Sequence, residues 1–94
     1  MEVFVTSRAE KHFDLIVEYL KTTWGEKAAK EFIQRTDDVF NILKNYPLLG
    51  QTEKDNIRGL QLSSQTRLLY RVLENKIIVL AFFDVRQNPE KKFG

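Results

Sequence analysis

Residues 67–83 read RLLYRVLENKIIVLAFF, and the alternation of charged and apolar side chains along them decides the fold. In Arg67–Leu73 the period is two, so Arg67, Leu69, Arg71 and Leu73 fall on one side of an extended chain and Leu68, Tyr70 and Val72 on the other. Glu74-Asn75 interrupts the pattern, and because asparagine tolerates a positive φ, a hairpin turn is predicted there. Lys76–Phe83 follows as a strand whose run from Ile77 to Phe83 is apolar on both sides, the composition of a central strand covered on both faces. Leu68, Tyr70 and Val72 are assigned to the core. The opposite face mixes arginine with leucine, a composition closer to a binding groove than to a solvated surface.

Outward from this hairpin, Ile57–Leu62 predicts a further strand, and Asn45–Asn56, with Pro47 and Gly50, is the turn-rich stretch of the chain. Met1–Val5 predicts an opening strand that stops at Thr6-Ser7. Ser7-Arg8-Ala9-Glu10 fits a capping box, in which the serine oxygen accepts the N3 amide and the glutamate reaches back to the cap amide. Ala9, Phe13, Ile16 and Leu20 then recur at helical spacing, with His12, Leu15 and Tyr19 widening the stripe, so His12 reads as the flank of a buried face more than as a proton shuttle. Thr23-Trp24-Gly25-Glu26 offers a second capping box before the stripe Ala29, Phe32, Ile33, Thr36, Val39, Phe40 and Leu43. That helix must end near Asn45, because Pro47 disfavours a helical conformation at Tyr46. Two helices of about 16 and 21 residues, about three residues apart, form an antiparallel hairpin. The predicted fold is α+β: an N-terminal strand and a two-helix antiparallel hairpin packed on a mostly antiparallel four-stranded sheet, one domain over residues 1–94.

The 94 residues are 43% hydrophobic with eleven aromatics, enough apolar mass to offset the entropy of ordering, so disorder is excluded. No run approaches the roughly 18 apolar residues of a membrane helix, and MEVFVTSRAE lacks the basic-then-apolar order of a signal peptide, so a cytoplasmic protein with no membrane contact is expected. With no cysteine and one histidine, no metal site and no cofactor is expected. The net charge is only +2, but residues 51–94 hold eight basic and five acidic side chains, and Asn56–Leu73 carries Arg58, Arg67 and Arg71 with no acid among them. Such a stretch could meet phosphates or an acidic protein, or its arginines could be solvated edge charges paired with Glu74 and Asp84.

The order strand, helix, helix, strand, strand, strand, together with particular residues, resembles the RelE/ParE superfamily of toxins from bacterial type II toxin–antitoxin modules. The matching pieces are Val3-Phe4-Val5, Ala9, Leu15-Ile16 and Tyr19, then Gly25, Ala28 and Phe32, then Tyr46-Pro47-Leu48-Leu49-Gly50. Arg58, Arg67-Leu68-Leu69-Tyr70-Arg71, Ile77–Leu80 and Asp84-Val85-Arg86-Gln87-Asn88-Pro89 complete the series. The resemblance implies the toxin of a plasmid-stabilising pair, acting in one of two ways: ribosome-dependent mRNA cleavage, or inhibition of DNA gyrase without chemistry on nucleic acid. A small protein-binding adaptor on the same scaffold is the reading from a different class.

For cleavage, a 2′-hydroxyl attacks the adjacent phosphate, which needs a base, an acid and cations for the developing charge. Arg67 matches the family's strand arginine, Arg86 comes second, and Lys54 could act as in lysine-dependent relatives, making these three the catalytic candidates. Arg58, Arg67, Arg71 and Arg86 are the candidates for holding target or RNA, with Arg67, Arg71 and Arg86 expected to gather around one phosphate. Residues 84–94, DVRQNPEKKFG, lack the Tyr and His that such nucleases carry there, leaving Asp84 or Glu90 as an acid only if burial raised its pKa. The length of the helical hairpin leans toward the ParE branch. The resemblance further implies a cognate antitoxin whose C-terminal segment wraps the toxin, for which Leu69, Arg71 and Leu73 form the expected contact surface.

Overall fold

The computed structural model of the protein describes residues 1–86. Chain order runs through β1 (Glu2–Val5), α1 (Ser7–Trp24), α2 (Glu26–Asn45), β2 (Gln51–Lys54), β3 (Ile57–Gln61), β4 (Thr66–Leu73) and β5 (Lys76–Asp84). Among the described residues the sheet has five strands in the order β1-β5-β4-β3-β2, one more than the sequence predicts. β1 runs parallel to β5 and every other pair is antiparallel, because the chain leaves β1 through both helices and returns to it only with its last strand. The additional strand, β2, is exposed at all four positions and so has no buried face to impose a period-two pattern. It is joined to β3 by Asp55-Asn56, both at positive φ (51° and 66°), as in a two-residue hairpin turn of the primed kind.

Helix boundaries shift for identifiable reasons. Thr6, not Ser7, caps α1: its N–H still donates to Val79 O of β5 at 3.1 Å, which keeps it extended, so its hydroxyl oxygen is placed to accept Ala9 N–H at 3.1 Å. The second capping box does not form either. α1 continues through Thr23 and Trp24, and the joint is a single residue, Gly25, at φ 98° with its N–H shared between Leu20 O and Lys21 O. α2 ends at Asn45 as Pro47 dictates.

Both helices lie on one face of the sheet. Ile16 and Leu20 of α1, Phe32 and Leu43 of α2, and Leu68, Tyr70, Ile77, Val79 and Phe82 of the strands are buried together. Phe13 bridges the layers, its ring centroid 5.5 Å from Phe32 and 5.4 Å from Phe82. Leu15 and Ile33, expected on the buried stripes, instead point outward, because each stripe is narrower than the run of apolar letters. His12 flanks the core as expected, its Nδ1 accepting Phe82 N–H at 3.3 Å. The turn after β4 places Glu74, not Asn75, at positive φ (57°).

Candidate functional site: the open face of the sheet

The face of the sheet away from the helices has no covering element among the described residues. Register writes its composition in rows. Phe4, Ile78, Arg71 and Ile57 stand side by side across β1, β5, β4 and β3, and Ala81, Leu69, Gly59 and Gln51 form a second row. Phe83, Arg67 and Gln61 form a third, and Leu73, largely exposed, lies at the far end opposite Lys76. The faces of β4 therefore lie as the alternation predicts, with Leu68 and Tyr70 fully buried under the helices.

Among the described residues Arg71 holds the one buried side-chain donor left without a partner. Its Nη2 donates to Asp55 O at 3.2 Å, while its Nε is buried and has no hydrogen-bond partner among the described residues. A buried donor without an acceptor costs roughly 1–3 kcal/mol, a cost that an acceptor carried by another molecule would remove. Arg67 is in the opposite condition. Its Nε donates to Glu53 Oε2 at 2.6 Å, Nη2 binds the same oxygen, and Nη1 donates to Gln61 Oε1 at 3.0 Å. The pair lies over Gly59, where an added Cβ would come within 2.6 Å of Arg67 Nη2. Glu53 was not among the candidate residues, because its strand left no pattern from which its pairing with β3 could be read.

The remaining candidates sit elsewhere. Arg58 donates through Nη1 to Gly50 O at 2.9 Å and to Leu48 O at 3.3 Å, tying down the loop after α2. Lys54 is exposed at the end of the edge strand β2. Arg86 lies on the helix side, 5.5 Å from the Tyr19 ring centroid, with Nε and Nη2 on Asp84 Oδ1 and Oδ2 at 3.0 and 2.6 Å. The expected gathering of Arg67, Arg71 and Arg86 around one phosphate therefore does not occur: the sheet separates Arg86 from the other two. Arg67 and Arg71 are themselves about 13 Å apart along β4. Among the described residues no salt bridge joins Glu74 to Arg58, Arg67 or Arg71. Glu90 and the matching stretch Gln87-Asn88-Pro89 lie outside the described residues.

Asp84 does not become the neutral acid that cleavage would need. Burial pushes its pKa up, but hydrogen bonds from the Arg86 side chain, from Thr66 Oγ1 at 2.7 Å and from Arg86 N–H at 2.9 Å outweigh it and hold the carboxyl below its ordinary value. The same contact raises Arg86, the Asp84 hydrogen bond being the main cause. His12 is lowered by burial first and by the charge of Arg8 second. A depressed pKa means that the unfolded chain binds the proton first, so stability is lost as pH falls. Melting temperature is expected to decline as pH drops below His12's ordinary 6.5, and again as it drops below the ordinary carboxylate value of 3.8. His12→Asn, which keeps an acceptor for Phe82 N–H, should remove the first decline; thermal melts from pH 8 to pH 3 measure both.

A family model described as ParE toxin of type II toxin–antitoxin system, parDE, matches residues 3–89. No curated protein matches at the sequence level. Among solved structures, a chain from the chromosomal ParDE toxin–antitoxin system of P. aeruginosa superposes with a TM-score of 0.76 at 19% identity, covering 89% of this chain and 95% of its own. A YoeB/ParE toxin from Agrobacterium tumefaciens gives 0.68 at 15% identity, with 89% and 98% covered. The YoeB dimer from Staphylococcus aureus gives 0.63 at 14% identity, with 88% and 94% covered. At these identities the likeness is one of fold: two helices on a mixed sheet.

Proposed function

Because the chain belongs to the ParE toxin family of type II toxin–antitoxin systems, we propose that it arrests bacterial growth by binding DNA gyrase, not by cutting mRNA. The observation that carries this reading is that three of the arginines a nuclease would use are already engaged inside the protein, while Lys54 stands exposed at the end of an edge strand. Arg67 is held by Glu53 and Gln61, Arg86 by Asp84, and Arg58 by two loop carbonyls. General acid–base catalysis needs a group that exchanges its proton near neutral pH within reach of the substrate. Asp84 is held in its charged form, and the Tyr70 hydroxyl is committed to Pro47 O and Gly50 N–H, each at 2.8 Å. A rigid surface of this kind is suited to recognition, where arginines fixed in place lose little entropy on contact.

In the same reading a cognate antitoxin silences the toxin by covering the open face, with Leu69 and Leu73 as apolar contacts and Arg71 as the charged one. Gyrase as target places the protein in the bacterial cytoplasm. Among the described residues no helix is long and apolar enough to cross a membrane.

Tightly induced expression without antitoxin tests the assignment. Filamentation and DNA-damage signalling with intact mRNA is the expected outcome, and Lys54→Ala should leave it unchanged. New mRNA 5′ ends inside translated codons, abolished by Lys54→Ala, would replace gyrase binding with ribosome-dependent cleavage. Unimpaired growth at high expression would favour the adaptor reading.

A further inference from the structure

The two edges of the sheet are treated differently. β2 carries Glu53 and Lys54, breaks register between Thr52 and Lys54, and is thereby guarded against pairing with another chain. β1 has a regular register against β5, no proline and one charge, Glu2, and it leaves Phe4 and Val5 about 40% exposed (42% and 40%). Thr6 N–H points to β5, donating to Val79 O, so strand alternation turns the peptide groups of Val3 and Val5 outward, away from the sheet. Beside this edge, on the helix side, a groove is lined by Val3, Val5, Asp37, Phe40 and Lys44. Asp37 and Lys44 are both exposed and stand two turns apart on α2, with Phe40 between them.

We infer that β1 is the self-association edge of this protein, and that its occupant is a second copy of the same chain, paired antiparallel about a two-fold axis through Phe4. The inference stands apart from the gyrase assignment. In that register Val3 faces Val5 of the second copy and exchanges both peptide hydrogen bonds with it, the reciprocal pair does the same, and Phe4 meets its own equivalent as a non-hydrogen-bonded pair. One registration thus uses every outward peptide group of Val3 and Val5. The α2 ridge has the matching symmetry: an antiparallel copy centred near Phe40 sets Asp37 against the second Lys44 and Lys44 against the second Asp37. An acid and a base at equal distances from one centre are self-complementary, which a partner of uniform charge would not be. Among the described residues Lys44 donates only to Asn41 Oδ1, at 3.5 Å, a contact weak enough to exchange.

The chain contains no cysteine, so Phe4→Cys introduces a single thiol. Non-hydrogen-bonded pairs bring Cα atoms to about 4.5 Å, inside the range a disulfide spans. The full-length Phe4→Cys chain, oxidised at about 50 μM, is expected to run as a cross-linked dimer, whereas Gln51→Cys on the opposite edge remains a monomer. Sedimentation of the unaltered chain should show concentration-dependent dimerisation. Lys44→Glu should weaken it at least ten-fold, and adding Asp37→Lys should restore it. Both sites are exposed, so a thermal melt that matches the unaltered chain shows that the fold is kept. A chain that stays monomeric at every concentration overturns the inference. So does Phe4→Cys that fails to cross-link, or dimerisation indifferent to Lys44→Glu.

Discussion

Tyr70→Ala is expected to destabilise the protein by about 4 kcal/mol and to lower the melting temperature by on the order of 20 °C. Tyr70 is fully buried on the helix side of β4, so truncation leaves a cavity under the helices. Its hydroxyl also anchors the loop between α2 and β2, donating to Pro47 O and accepting Gly50 N–H, both at 2.8 Å. The fit is tight: a Cβ on Gly50 would lie 2.8 Å from the Tyr70 ring and 2.9 Å from Gly59 O. Losing the hydroxyl frees this loop, and with it the two carbonyls that hold Arg58. Tyr70→Phe separates the contributions, since it keeps the ring and strands two backbone groups; a cost of about 2 kcal/mol is expected. Urea denaturation of the three proteins is the measurement. Unchanged stability in Tyr70→Ala would mean that the faces of β4 are the reverse of those described.

The second large effect concerns Arg71. Reversing its charge in Arg71→Glu is expected to weaken antitoxin binding at least 100-fold, about 3 kcal/mol. The reason is the orphan Nε, which is buried between Ile78 and Ile57 on the open face and has no acceptor among the described residues. An acceptor from a covering segment would satisfy it, and a glutamate in its place would repel the same group. Arg71→Met distinguishes recognition from folding. It removes an unsatisfied donor, so the free toxin should melt at the same temperature or higher, while affinity for the antitoxin falls. Titration calorimetry with the cognate antitoxin measures the loss, and equal affinities for all three proteins would remove Arg71 from the interface.

The helical hairpin and β4 were legible because each buries one face and so repeats its apolar residues at 3.6 or 2.0 positions, and β5 because its apolar run is unbroken from Ile77 to Phe83. Even there the limits were visible in single residues. Leu15 and Ile33 are apolar letters on the wrong side of their stripes, and the cap of α1 moved from Ser7 to Thr6 because a ladder bond to Val79 holds Thr6 extended. β2 was missed because an edge strand exposed at every position carries no periodicity, although Asp55-Asn56, two residues that tolerate positive φ, was a usable signal for its turn.

By itself, the sequence determined the α+β class, the hairpin order, the core side of β4 and, through the motifs from Val3 to Pro89, the toxin family. These are local properties: period, turn chemistry and cap residues act over a few positions and can be read one segment at a time. Only the tertiary structure decided which charge meets which. Arg67 found Glu53 fourteen residues away and Arg86 turned back to Asp84, whereas Arg71 was left, among the described residues, with a single carbonyl. Guanidinium partners are chosen by register across strands and by which side of the sheet a side chain leaves, and neither quantity is written in the spacing of charges along the chain.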